Sequence, residues 1–145
     1  MRFVASALLV LASAVAISAD QPVDVRYDTV YDDPKKSTLS MACSDGINGL
    51  YTKGFPDLYS LGGFPNVGAS ATIEGWDSRN CGACYKLSYD GRMVYVTAVD
   101  HSANGFVLSG EAMRALTGGV GLAIGVIKAT YAEADREMCK IQKTE

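Results

Sequence analysis

Apolar and polar residues alternate from Val23 to Tyr27, with Val23, Val25 and Tyr27 on one side and Asp24 and Arg26 on the other. A period of two predicts a half-buried strand. Tyr27-Asp28 and Tyr31-Asp32 follow it, and Asp33-Pro34 closes the segment as a turn. Cys43-Ser44-Asp45-Gly46 and Asn48-Gly49 make a small polar loop of turn residues. Tyr51 to Gly68 is broken by Gly54, Pro56, Gly62, Gly63 and Pro65. It reads as a long ordered loop with a short helical turn near Pro56 to Leu61, and such loops are wraps or binding surfaces. Ala71 to Ile73 predicts a short strand ahead of Gly75-Trp76.

The strongest local signal is Asp90-Gly91 between the apolar runs Tyr85 to Tyr89 and Met93 to Val99, which predicts a hairpin. Its second arm alternates only loosely and reads as an interior strand. Farther on, Ser109 as N-cap, Glu111 in the first turn and Ala112, Met113, Ala115 and Leu116 predict a helix that Gly118-Gly119 ends. Leu122 to Tyr131 reads as a last apolar strand broken by Gly125, with Cys139 beyond it to pin the tail. Strands with one good helix predict a mainly β, single small barrel.

The first 19 residues do not share this pattern. Arg2 precedes an apolar run from Phe3 to Ala12, and small residues continue through Ala19. This is the layout of a secretory signal peptide, with cleavage expected after Ser18 or Ala19. Its apolar run falls short of the ~20 residues that span a bilayer. Residues 20–145 are then the domain, and no later stretch is long and apolar enough to span.

The chain of 145 residues carries 13 Lys and Arg against 16 Asp and Glu, net −3. Without residues 1–19, which hold Arg2, the balance is 12 to 16, net −4. Mild acidity argues against nucleic acid, whose phosphates require clustered Lys and Arg, and leaves neutral partners such as polysaccharides open. Cys43, Cys81, Cys84 and Cys139 all lie in the domain. An even number in a small secreted chain implies two disulfides, each worth typically ~2–4 kcal/mol, with three pairings open.

Chemistry concentrates between Gly75 and Phe106, which holds the single Trp76, the single His101 and Asp100 at the end of an apolar strand. Cys81-Gly82-Ala83-Cys84 has the spacing of a redox motif. That chemistry needs a helix N-terminus to depress a thiol pKa, whereas Tyr85 to Tyr89 continues as a strand. A zinc site built on the cysteines is equally out of place in a secreted chain, so no metal and no cofactor are expected.

Taken in order, Tyr27-Asp28 with Tyr31-Asp32, Cys43 to Leu50 (CSDGINGL), Gly75-Trp76-Asp77-Ser78, Cys81-Gly82-Ala83-Cys84, and Val99-Asp100 with Gly105-Phe106 resemble the cerato-platanins. The resemblance spans essentially the whole domain. It implies a double-ψ β-barrel like those of expansins, barwin and family 45 endoglucanases, and pairing of Cys43 with Cys81 and Cys84 with Cys139. It further implies a secreted fungal protein of the wall or medium. Such proteins bind chitin-type oligosaccharides (N-acetylglucosamine oligomers) or other wall polysaccharide and loosen cellulose-like material with little hydrolysis. They also elicit plant defence, with a host surface receptor as a further partner. Neither membrane nor nucleic acid belongs to this picture; a monomer that self-assembles at interfaces does. His101 departs from the pattern, since a small residue is more usual after the Asp.

Two functional readings follow. In the first, a non-catalytic binder, Asp100 accepts hydrogen bonds from sugar hydroxyls or amide N–H groups. Ser44, Asp45, Asn48 and Ser102 supply short polar contacts, and Tyr31 offers an aromatic face to a pyranose ring. Ser44, Asp45 and Asn48 are also ordinary turn formers, and Trp76 is expected to pack in the core beside a disulfide. In the second, a weak inverting glycoside hydrolase, Asp100 is the acid and Asp28 or Asp32 the base, ~6.5–9.5 Å away.

Overall fold

The computed structural model describes residues 3–9 and 20–140. Six strands close a barrel: β1 (Gln21–Tyr27), β2 (Val67–Ser70), β3 (Cys84–Tyr89), β4 (Arg92–His101), β5 (Phe106–Leu108) and β6 (Ile127–Ala134). Their order around the ring is β1-β5-β2-β4-β3-β6, and β6 returns to β1. β1 lies parallel to β5 and β2 parallel to β4, while the remaining neighbours are antiparallel. Each strand has a partner on both sides, so the barrel presents no open edge.

The interior is filled by Val25, Val67, Leu87, Val96, Phe106 and Leu108, all essentially inaccessible. Tyr85, Phe106 and Tyr131 pack edge to face with ring centroids 5.3–6.0 Å apart, the geometry that aromatic quadrupoles favour. The hairpin between β3 and β4 turns on Asp90 and Gly91, at φ 47° and 75°. Positive φ at both positions matches the right-handed twist of the flanking strands.

Helix α1 (Gly110–Thr117) starts and stops as the sequence predicts. The Ser109 hydroxyl accepts from the Ala112 N–H (3.0 Å), and left-handed Gly118 donates to the Arg114 carbonyl (2.8 Å). A second cap comes from afar. Asp32, at the end of a 3-10 helix (Thr29–Asp32), accepts from the N–H groups of Gly110 (2.9 Å) and Glu111 (3.0 Å). A carboxylate there satisfies two donors and meets the positive end of the helix dipole.

Two expected strands are corrected. The strand expected over Ala71 to Ile73 sits earlier, as β2. All four residues of β2 are buried, as suits a strand bonded on both sides, so it lacks the alternation that marks a half-buried strand. Gly68 is required in it because a Cβ would stand 2.4 Å from the Val107 carbonyl oxygen of β5. The chain then turns away: the Ile73 N–H donates to the Ser70 carbonyl (3.1 Å). The last expected strand splits instead. Val120–Ile124 is a short helix, α2, ended by Gly125 at φ 85°, and β6 begins only at Ile127. A short apolar run suits a helix as well as a strand, and this helix leaves Val120 and Ile124 exposed. Here the Thr117 hydroxyl accepts the Gly121 N–H (2.9 Å) and fastens α2 to α1.

The helical turn expected in the long loop is a 3-10 helix at Tyr59–Leu61, anchored by buried Phe55, Leu58 and Leu61. Cys43 is bonded to Cys81 and Cys84 to Cys139. This is the pairing that the resemblance implied, and it leaves Cys81-Gly82-Ala83-Cys84 without a redox pair. Residues 3–9 form neither strand nor helix, and Phe3, Val4, Leu8 and Leu9 are exposed. The expected cleavage point lies outside the described residues. Among those residues no helix is long and apolar enough to cross a membrane.

Candidate functional site

Asp100 is the penultimate residue of β4, so its side chain and that of His101 leave on opposite sides. The Asp100 carboxylate is half-buried and held by three donors. Oδ1 accepts from the N–H groups of Ala42 (2.8 Å) and His101 (2.9 Å), and Oδ2 accepts from the Tyr31 hydroxyl (2.8 Å). On the other side, His101 Nδ1 lies 2.6 Å from the Ile73 carbonyl oxygen. The Cys43 N–H donates to the Val99 carbonyl (3.3 Å), so residues 42–43 lie along the end of β4, where the Cys43–Cys81 bond secures them.

From that seam the polar loop runs out to a second anchor. Asp45 Oδ1 accepts from the Ser44 hydroxyl (3.3 Å) and from the Trp76 indole N–H (2.7 Å). The indole bond holds the Asp45 carboxyl below the usual carboxylate range. The Asn48 N–H donates to Asp77 Oδ1 and its side-chain amide to the Asp77 carbonyl, both at 2.9 Å. Ser44, Asp45 and Asn48 are therefore one unit with Trp76 and Asp77, tied to Asp100 through residues 42–43. Ser102 stands apart from that unit. It is buried, its hydroxyl donates to the Asn104 carbonyl (2.9 Å) and accepts the Asn104 N–H (3.3 Å), and it closes the turn between β4 and β5.

Two aromatic residues exchange their expected places. Tyr31 offers no open face: it is only 7 % exposed. The 3-10 helix turns its ring inward, where the phenol reaches Asp100. Burial, and next the bond to Asp100, push the Tyr31 phenol above its ordinary value, so it is a neutral donor. Trp76, expected in the core, is 64 % exposed. The sequence carried a signal for this. Asp77 sits at φ 61°, and Asp and Asn are among the few residues besides Gly that visit this conformation. Trp-Asp-Ser thus marks a turn, and turns lie at the surface.

The two carboxylates proposed as a hydrolytic base are occupied locally. Asp28 accepts the Val30 N–H (2.9 Å) as the cap of the 3-10 helix, and Asp32 caps α1. A depression of about 330 Å³ is lined by Gln21, Thr72, Asn80, Tyr85, Tyr131 and Glu133. Another, of about 460 Å³, lies between Phe64, Met93, Tyr95 and Met138. Asp100 lines neither. Among the described residues no cluster of His, Cys, Asp and Glu is arranged to hold a metal ion.

Residues 23–141 match the family model described as Cerato-platanin. Allergen Asp f 15 of Aspergillus fumigatus is 46 % identical over 118 residues, covering 81 % of this chain and 77 % of the relative. Cerato-platanin of Ceratocystis fimbriata f. sp. platani is 36 % identical over 140 residues, 96 % of each chain. The crystal structure of cerato-platanin 1 from M. perniciosa superposes with a TM-score of 0.78 at 40 % identity, covering 81 % of this chain and 98 % of that one.

Proposed function

This chain belongs to the cerato-platanin family, and on that premise we propose that it is a secreted, non-catalytic binder of cell-wall polysaccharide, chitin-type oligomers first among them. The observation that carries the reading is the Asp100 carboxylate. Donors from Tyr31, Ala42 and His101 fix its orientation while it stays half-exposed. A carboxylate offers about four acceptor sites, so a site remains for a sugar hydroxyl or an acetamido N–H. The polar loop of Ser44, Asp45 and Asn48 begins two residues from Ala42 and adds directed hydrogen-bonding groups beside it. Carbohydrate recognition needs polar groups held in advance, because ordering them on binding costs affinity.

Binding is favoured over cleavage because capping already accounts for Asp28 and Asp32, the two carboxylates that an inverting hydrolase would need as its base. Two disulfides suit an oxidising, extracellular setting. Expansin-like loosening of the wall and recognition by a host surface receptor belong to the same reading.

The test is calorimetric titration with N-acetylglucosamine oligomers beside a reducing-sugar assay. Heat of binding without sugar release is the expected result, and Asp100→Asn should lower affinity about ten- to a hundredfold. Sustained release of reducing ends would favour the hydrolase instead.

A further inference from the structure

We infer that Trp76 is an aromatic platform on which a pyranose ring stacks, forming an outer subsite of the carbohydrate site. The inference rests on the reading just given and extends it from one carboxylate to a surface that accepts an oligosaccharide. Trp76 is the only tryptophan and leaves 64 % of its surface in water. Burial is the usual fate of so large an apolar side chain, and a well-exposed one requires a reason.

The exposed ring is also held in place. Its N–H donates to Asp45 Oδ1 at 2.7 Å, and its six-membered ring lies against Gly46, where an added Cβ would stand 3.1 Å from Cζ2. The next residue, Asp77, is bonded twice to Asn48. A flat apolar face is thus presented with its edge fixed and its rotamer entropy already spent, as suits a binding platform.

The surroundings select the occupant. Asp45, Ser44 and Asn48 border the indole, so the face is apolar and its margin polar. A pyranose has matching chemistry, with C–H bonds on its flat face and hydroxyls around its rim. A lipid tail or an apolar helix would desolvate the Asp45 carboxylate beside the indole and offer it no new partner. The spacing puts both contacts within reach of one ligand. Ala42 touches Asp100 and Asp45 touches Trp76. Three residues of chain separate those contacts, at most ~10 Å from Cα to Cα. One oligosaccharide lying along the loop can therefore meet both the carboxylate and the indole.

The single tryptophan makes the test direct. The parent is titrated with chitobiose and chitohexaose, with binding followed by calorimetry and Trp76 followed by its emission. The hexamer should shift the emission and protect it from iodide quenching. Trp76→Ala should lose about tenfold in hexamer affinity, while Trp76→Phe, which keeps a stacking face, should stay within about threefold of the parent. Calorimetric saturation by the hexamer with no change in emission would overturn the platform and leave the carbohydrate reading standing. Absence of heat with either saccharide would overturn both. Ile47, on the same loop, is 85 % exposed. An emission shift that follows protein concentration without sugar would assign this face to self-association instead and also overturn the platform.

Discussion

The Tyr31 hydroxyl donates to Asp100 at 2.8 Å, joining the 3-10 helix after β1 to the end of β4. Asp100 is therefore a bracket as well as a candidate ligand, and losing its donor has a stability cost. Tyr31→Phe should destabilise the fold by about 1.5 kcal/mol, the low end for a hydrogen bond to a charged group, because a half-exposed carboxylate recovers a water. Denaturant unfolding of parent and variant measures this, and equal midpoints would contradict it.

The same pair predicts an alkaline signature. The Tyr31 phenol is pushed up by burial and by Asp100, and burial pushes Tyr85 up as well. A raised folded pKa contributes stability that is complete below the unfolded value of about 10 and is lost as pH rises toward the folded value. Thermal melts should therefore fall above about pH 10, and Tyr31→Phe should show a shallower fall. Identical declines in the two proteins would remove Tyr31 as a cause.

In acid the sign reverses. Asp24 is held below the usual range chiefly by its bond to Lys128, and Asp45 by the Trp76 N–H. Depressed folded values contribute stability that is complete above the unfolded value, ~3.9, and lost only as pH falls through the folded values beneath it. Circular dichroism spectra at pH 4 and pH 7 should superimpose. A cooperative transition between those pH values would show that other carboxylates carry the fold.

The disulfides should separate stability from binding. They link residues 38 and 55 positions apart, and chain entropy assigns about 4 kcal/mol to loops of that size. Replacing Cys84 and Cys139 together by Ala should cost about that much stability and leave saccharide affinity intact. Replacing Cys43 and Cys81 together should cost both, since this bond holds the loop between Asp100 and Trp76. Peptide mapping without reductant should find no free thiol.

Asp32 distinguishes cap from catalyst. Asp32→Ala should cost about 0.5–2 kcal/mol, the usual loss for a helix cap, with saccharide affinity unchanged. If the parent releases sugar and Asp32→Ala abolishes that release, the residue is a catalytic base.

The elements with local signatures were legible in the sequence. Asp90-Gly91 located the hairpin, Ser109 and Gly118 bounded α1, and the alternation from Val23 to Tyr27 marked most of β1. Signals failed where burial erases periodicity. All four residues of β2 are inside. Signals failed also where a run is short: Val120–Ile124 is as apolar as a strand, yet it is a largely exposed helix. The aromatic exchange failed for another reason. The direction of Tyr31 depends on a partner 69 residues away, and that of Trp76 on one 31 residues away. Local composition carries neither. Asp45, Asn48 and Asp100 were legible as polar groups, but not the order in which Asp77, Trp76 and Tyr31 bind them.

The ring also sets a schedule for folding. β1 closes against β6, with Gln21 opposite Tyr131 and Val25 opposite Ile127. β1 must wait for residues 127–131 to leave the ribosome before it gains that neighbour, and β3 waits for the same strand. Such distant pairings are slow to form. A chain cut before Ile127 would display the flanks of both β1 and β3 to any other unfinished copy.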